Sequence, residues 1–482
     1  MSIAAPTIRP DTMTGSARRW PRRLGALAVV VVAVLSATLV AIRTSDAPAP
    51  RVVDNVAMRW VDRALGAVRS GNPVVHSGTP GSARTYAMTT AAMYDAVNGI
   101  ERAGETKDAG NAVIPSYAGA PAGASREAAA SAAAHEVLRS LFADNAAVTS
   151  ALDAAQDQEL GALRTGPGVE AGRVWGTTVG RMVLSVRAND GTEKGGSKPG
   201  GTGAGVFPRT FSGTQFRNMA PFGVRSIEPY ASAGPPALDS AEYTAAFNEV
   251  KAIGSYTDGD GERTAIARHW LAEEGTARET GLWFKAALAI TADQGTAASL
   301  SETVRLFALL GAGIADAVAV SWTDKYTTHY WRPGDAIRQA GTDDNPATEE
   351  DANWSPRNGT CTSTNLTTCS VFGGSPEHTS GTSAFAGAAA EILAGFYCTE
   401  TIRFAFSGEQ ADSAPRSYGG FAEAAREAGR SRVYGGVHFQ FSNDAGREGG
   451  KSIGQEIVRT RLLRAGSEPG AGAACARMPH AR

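Results

Sequence analysis

Apolar positions recur three and four residues apart through most of the chain after residue 52, and no convincing alternation of apolar and polar residues appears anywhere. Runs of ten or more residues at that spacing, rich in Ala, Leu, Glu and Arg, predict helices rather than strands. The pattern places helices over Val52–Ala67, Thr85–Val97, Ser125–Phe142 and Val169–Val186. It then breaks at Asn189–Gly205, where NDGTEKGGSKPGGTGAG predicts a loop, and stays Pro/Gly-punctuated and irregular as far as Pro236. Helices resume with start signals. Asp239-Ser-Ala-Glu242 is a capping box opening Tyr243–Ile253, and Ser299-Leu-Ser-Glu302 opens the longest apolar helix, Thr303 to about Asp324. Further helices are expected over Ser380–Ala394, Phe421–Ala428 and Asp444–Leu463. The fold class predicted is all-α, in helical bundles.

The pattern also divides the chain. Residues 1–50 form an N-terminal segment and linker, 51–236 an N-terminal helical part, 237–465 a C-terminal helical bundle and 466–482 a tail. The first of these carries an address. Arg18, Arg19, Arg22 and Arg23 precede Leu24–Ile42, nineteen residues without a charge. That length serves either a signal peptide or a bilayer-spanning anchor, and the basic flank favours a cytoplasmic N-terminus. The body of the protein is therefore expected outside the cell, free or anchored to the outer face of the membrane, with no other membrane contact. An oxidising exterior permits a Cys361–Cys369 disulfide, and the absence of a CxxC pair argues against a cysteine zinc site.

Among 482 residues the formal net charge is −2, so the concentrated basic footprint that nucleic acid requires is missing. Other chemistries are excluded by spacing. The GGSK fragment at 195–198 lacks the phosphate-loop pattern, His135-Glu136 is not completed to HExxH, and no GxSxG elbow occurs. Three clusters remain. In the first, Lys325 and Arg332 stand seven apart, which on one helix brings them to nearly the same face, about 20° adrift. The second is Ser380-Gly381-Thr382 at a helix start, where a side-chain-free amide and the helix dipole favour an anion. The third is Ser431-Arg432 with His438, and Gly435-Gly436 between them predicts a bend that brings both side chains to one point. Together they supply three cations, a hydroxyl, an amide and an imidazole, a set suited to an oxyanion.

The order Lys-x6-Arg-Pro, a Ser-Gly helix start and Ser-Arg-x5-His resembles the signature of the vanadium-dependent haloperoxidase and type 2 phosphatidic acid phosphatase superfamily. Longer stretches are similar to its bacterial haloperoxidase branch: ADAVAVSWTDKYTTHYWRPGDAIR, NPATEEDANWSPRNGT, GGSPEHTSGTSAFAGAAAEIL and GRSRVYGGVHFQFSNDAG. The similarity spans about residues 52–463. It implies two packed helical bundles with the active site in the C-terminal one. It also implies that Lys325, Arg332, Ser380, Gly381 and Arg432 hold the oxygens of vanadate, or of phosphate as an alternative occupant, with His438 as the vanadium ligand. Lys325, Arg332, Arg432 and His438 are then the catalytic set. The implied activity is peroxidase chemistry on hydrogen peroxide, a halide and a small organic substrate. In a phosphatase the same His438 is the nucleophile toward a phosphate ester.

Two positions depart from that pattern. The family's Ser-Gly-His ends here in Thr382, which cannot titrate near neutrality, whereas a general acid–base group typically supplies roughly 10²–10⁴-fold. Four residues after His438, where an aspartate is common, stands Ser442; losing such a partner typically costs about 10–100-fold. Asp444 after a shift in register, and His378 or His329 in place of the missing histidine, are the available substitutes. A non-redox or inactive relative that keeps oxyanion binding is the third reading these departures leave.

Overall fold

The computed structural model describes residues 54–71, 76, 78–106, 109–114, 119–358, 374–411 and 413–463. The expected signal or anchor at Leu24–Ile42, the Cys361–Cys369 pair and the whole 466–482 tail lie outside these residues. The described residues fall within one compact unit.

Its described residues contain thirteen α-helices: α1 (Val56–Ser70), α2 (Thr79–Ala103), α3 (Arg126–Leu141), α4 (Ala146–Gly161), α5 (Pro167–Arg187), α6 (Ala241–Ile253), α7 (Gly261–His269), α8 (Arg278–Asp293), α9 (Leu300–Thr328), α10 (Pro333–Arg338), α11 (Gly381–Tyr397), α12 (Phe421–Tyr434) and α13 (Gln440–Thr460). One bundle gathers α1–α5. The other gathers α9, α11, α12 and α13, and α9 also packs along α2, so this helix is common to both. The all-α expectation holds with one correction. Two short antiparallel pairs occur, β1 (Ser197–Lys198) with β2 (Phe211–Ser212) and β3 (Phe404–Phe406) with β4 (Arg416–Tyr418). Two or three residues are too few for a visible alternation. The expected box at Asp239 is also shifted by one: Ser240 is the cap, its Oγ accepting from Tyr243 N–H at 3.1 Å.

Helix α9 is apolar on every face and is buried on every face, which is what an all-round apolar helix requires. Its length and composition would also suit a membrane, but it lies almost wholly inside the bundle. Ser299 caps it by accepting from Glu302 N–H at 3.3 Å. Midway along, the buried Asp316 accepts the N–H groups of Phe222, Gly223 and Val224 at 2.7, 2.7 and 2.9 Å. One carboxylate thus pins the irregular 189–236 crossing to the core helix. Packing of α11 on α13 depends on glycine. A Cβ on Gly446 would stand 2.5 Å from the Ser380 carbonyl oxygen, so only glycine lets α13 come against the start of α11.

A second ionic node lies away from these helices. Glu409 accepts a two-pronged contact from Arg69 (2.9 and 2.9 Å), one from Lys285 Nζ (2.7 Å) and one from Ala277 N–H (3.0 Å). Burial pushes this carboxyl up, but the donors outweigh burial and hold it at about 2, below its ordinary 4.5. A depressed carboxylate contributes stability above its unfolded value and loses it as pH falls through the folded one. Glu409→Gln is therefore expected to cost roughly 1–3 kcal/mol at pH 7, after discounting for solvent screening. In urea denaturation series, the gap to the native chain should shrink as pH falls from about 4.5 toward 2.

Candidate active site

The four chain segments that meet at the site are set by local breaks in helices. Helix α9 carries Lys325 in its last turn and stops at His329, whose φ of +50° is left-handed. Pro333 then occupies the first position of α10, where a missing N–H costs nothing, and Arg332 is the residue before it. Lys325 and Arg332 are thus not on one helix face. They stand on either side of a turn, because a proline cannot continue the first helix. Asp335 holds the second of them: its carboxylate accepts from Arg332 N–H at 3.2 Å and takes both guanidinium nitrogens of Arg209 at 2.7 Å.

Ser380 caps α11, its Oγ accepting from Ser383 N–H at 3.4 Å, while its own N–H donates to the Ser442 carbonyl at 3.2 Å. Gly381 opens the helix, so its amide has no acceptor within it. Thr382 follows, 7 % exposed. Helix α12 ends at Tyr434, and the expected bend is present: Gly436 has φ +71°, which suits glycine, and the N–H groups of Val437 and His438 turn back to the Arg432 carbonyl at 3.0 and 3.3 Å. The bend returns His438 toward the residue six positions before it.

Arg332 Nη1 lies 2.9 Å from His438 Nε2 and also donates to the Val437 carbonyl at 2.7 Å, while its Nε donates to the Ser375 carbonyl at 2.8 Å. Lys325 Nζ donates to the carbonyls of Pro376 and Glu377 at 2.6 and 3.1 Å. Arg432 is different. Its guanidinium is buried, and neither Nε nor Nη1 has a hydrogen-bond partner. The three cations share one region: burial first, then the charges of Arg332 and Arg432, push the Lys325 ammonium well below its usual range, and burial likewise lowers Arg332 to about 10. Buried cations that depress one another in this way call for an anion.

Sequence reasoning passed over Glu377. Its Oε1 lies 2.9 Å from His438 Nδ1 and accepts from Phe439 N–H at 2.9 Å. Ser442, at the position where the family commonly carries aspartate, donates through its hydroxyl to the Glu377 carbonyl at 3.4 Å. The carboxylate that orients the imidazole is therefore present, supplied from the loop before α11 rather than from α13. Asp444 does not take this part; it is exposed and pairs with Arg447 at 3.3 Å. The only hint in the sequence was a lone Glu in SPEHTSG, between a proline and a histidine.

The two contacts define the imidazole's proton. A guanidinium can only donate, so Nε2 facing Arg332 carries the lone pair, and Nδ1 carries the hydrogen toward Glu377. Burial and then the charges of Arg332, Lys325 and Arg432 hold His438 well below its ordinary value, so it is neutral. Burial pushes Glu377 up to about 7, against the pull of Arg332 and the Phe439 N–H. The site thus presents a neutral imidazole with a free-electron-pair nitrogen, three cations and a helix N-terminus. That donor set fits an oxyanion whose central atom accepts a nitrogen ligand.

The two substitute histidines are engaged elsewhere. His378 is held through Nε2 by Ser232 Oγ at 2.6 Å, and burial lowers it to about 3. His329 closes α9, with its ring edge-on to Phe207 at 5.7 Å.

Residues 305–464 match the family model of the VCPO second helical-bundle domain. No curated protein matches the chain. Among solved structures it is similar to the first bacterial vanadium-dependent iodoperoxidase, with TM-score 0.66 and 20 % identity over 84 % of this chain and 95 % of that one. It is also similar to an apo-type bacterial vanadium-dependent chloroperoxidase, with TM-score 0.59 and 15 % identity over 81 % and 94 %. The holo-type chloroperoxidase matches with TM-score 0.58 and 14 % identity over 84 % and 97 %. The part of the chain that carries every segment of this site, residues 305–464, thus belongs to the VCPO second helical-bundle domain family, within a chain that has the fold of the bacterial vanadium-dependent haloperoxidases.

Proposed function

We propose that the protein is an exported, vanadium-dependent haloperoxidase that binds vanadate and uses hydrogen peroxide to oxidise a halide, which then reacts with a small organic substrate. The observation that carries this reading is the buried Arg432 guanidinium with two nitrogens lacking a partner, grouped with Lys325, Arg332 and a neutral His438. Unpaired buried charge is costly, and an oxyanion guest removes that cost.

In this reading Lys325, Arg332 and Arg432 neutralise the guest's oxygens, Ser380 and the Gly381 amide bind a further oxygen, and His438 Nε2 ligates the central atom. When bound, vanadate supplies the Lewis acidity that activates peroxide toward halide. Glu377 keeps the imidazole in the Nδ1–H tautomer and makes Nε2 a better donor. For Nε2 to ligate, Arg332 must exchange its contact with the imidazole for one with an oxygen of the guest. The overall change, peroxide and halide giving hypohalous acid and water, consumes one proton. Thr382 cannot hold that proton, so the reading expects activity at the low end of what the cradle allows.

The test is to titrate the purified protein with orthovanadate and assay peroxide-dependent halogenation of an activated phenol. Vanadate-dependent turnover is the expected result. Tight vanadate binding with no turnover would reject the oxidative reading and leave oxyanion binding alone. Hydrolysis of an aryl phosphate, suppressed by vanadate, would instead favour the phosphate-ester reading of the same cradle.

A further inference from the structure

A cleft of about 550 Å³ opens beside the site, between the Pro-rich segment 229–236 and the first turns of α13, with His378 in its wall. Its volume falls within the usual range for small organic guests. Tyr230 and Phe441 give it aromatic walls. Glu242, Asp444 and Glu448 are exposed at its rim, and no lysine or arginine is among the residues that line it. Arg447 reaches Asp444 from outside the lining, and among the described residues Glu242 and Glu448 form no ion pair.

A second observation also points to a guest. His378 is 1 % exposed, yet its Nδ1 has no hydrogen-bond partner while Nε2 is taken by Ser232. A buried ring nitrogen left unsatisfied is costly, and a polar group entering the cleft offers relief. The position of the cleft matters as well. His378 follows Glu377, which holds His438, and Phe441 is three residues beyond His438, with its ring 6.1 Å from that of His378. One strand of chain therefore separates the cleft from the imidazole of the oxyanion site.

We propose that this cleft binds a cationic aromatic molecule, an arylalkylammonium, as the organic substrate. As a substrate assignment it rests on the haloperoxidase reading; as a binding site it does not. The ring lies between Tyr230 and Phe441, and the ammonium faces the carboxylates of Glu242, Asp444 and Glu448. Each such exposed contact is weak, and three together are worth roughly tenfold in affinity.

Calorimetric titration of the full chain with tyramine, 4-ethylphenol and 3-(4-hydroxyphenyl)propionate tests this at low ionic strength, without peroxide or halide. Tyramine is expected to bind roughly tenfold more tightly than the neutral phenol, and the propionate more weakly than either. The combined variant Glu242→Gln, Asp444→Asn, Glu448→Gln should abolish the tyramine advantage. Its peroxide-dependent iodide oxidation, measured with no organic substrate, should stay at the native level. Equal affinity for all three probes, or an advantage that survives the triple variant, overturns the proposal. Discrimination lost in the variant supports the cleft even if the native protein oxidises no halide, and that combination would reject only the peroxidase reading.

Discussion

Arg432→Met is expected to make the protein more stable and to remove most of its affinity for vanadate. Both effects come from the same geometry. The guanidinium is buried, Nε and Nη1 have no partner, and its charge adds to those of Arg332 and Lys325. Replacing a buried guanidinium whose Nε and Nη1 lack partners, and which burial penalises more than Glu279 and Glu273 attract it, with an apolar side chain of similar length removes a desolvation penalty, about 1–3 kcal/mol by comparison with buried ionic groups elsewhere. The same change withdraws a charge-assisted donor from the guest, and losing one partner of a buried charged contact costs about 2–5 kcal/mol, roughly 30- to 5,000-fold in affinity. Urea denaturation with and without orthovanadate reads both. The variant's midpoint should lie above the native one in buffer, and the upward shift that ligand gives the native chain should be nearly absent. A less stable variant that keeps the full vanadate shift would make Arg432 a structural residue and remove it from the cradle.

That trade between stability and binding also explains which parts of the protein could be read in advance. Long apolar runs with a serine cap, such as the one Ser299 opens, carry their structure in the local pattern, because burial on every face demands apolar residues on every face. Helix α4 was missed for the opposite reason. AAVTSALDAAQDQELG buries only Val148, Leu152, Gln156 and Glu159, too thin a stripe to see. Helix α7, which buries only Ala267 and His269, went unread in the same way. The three clusters were legible because each sits at a helix break marked by Pro333, Ser380-Gly381 or Gly435-Gly436. The break at Pro333 was nevertheless misjudged. Spacing by seven fits one helix face, and only the proline's inability to continue α9 says otherwise.

Glu377 was hidden by a different kind of reasoning. A carboxylate partner for His438 was sought four residues downstream, where Ser442 stands. The fold supplies it from a residue 61 positions earlier, through a contact that no local pattern encodes. Asp316 and the loop at 222–224 present the same difficulty over more than ninety residues. Such pairs follow from the packing of whole helices. The sequence shows that a buried carboxylate exists, not which backbone amides or rings will meet it.

Thr382→His is expected to raise peroxidase turnover by about 10²-fold, within the 10²–10⁴ that a positioned acid–base group supplies. Thr382 is the second residue of α11, next to Gly381 and nearly buried, so a side chain there leaves the helix at the end where the amides converge. The helix dipole and the three cations all disfavour an imidazolium at that point. An introduced histidine therefore stands neutral. It takes a proton from incoming hydrogen peroxide and returns it to the departing oxygen, a transfer that threonine can only assist by hydrogen bonding. Because Thr382 is not among the groups assigned to hold the guest, vanadate affinity should change by no more than a few-fold. The discriminating readout is the pH profile of kcat for the vanadate-loaded proteins between pH 5 and 8. The variant should gain a limb that follows the new imidazole, and the native profile should lack it. If turnover falls instead and no new limb appears, the side chain at 382 does not face the reacting oxygen.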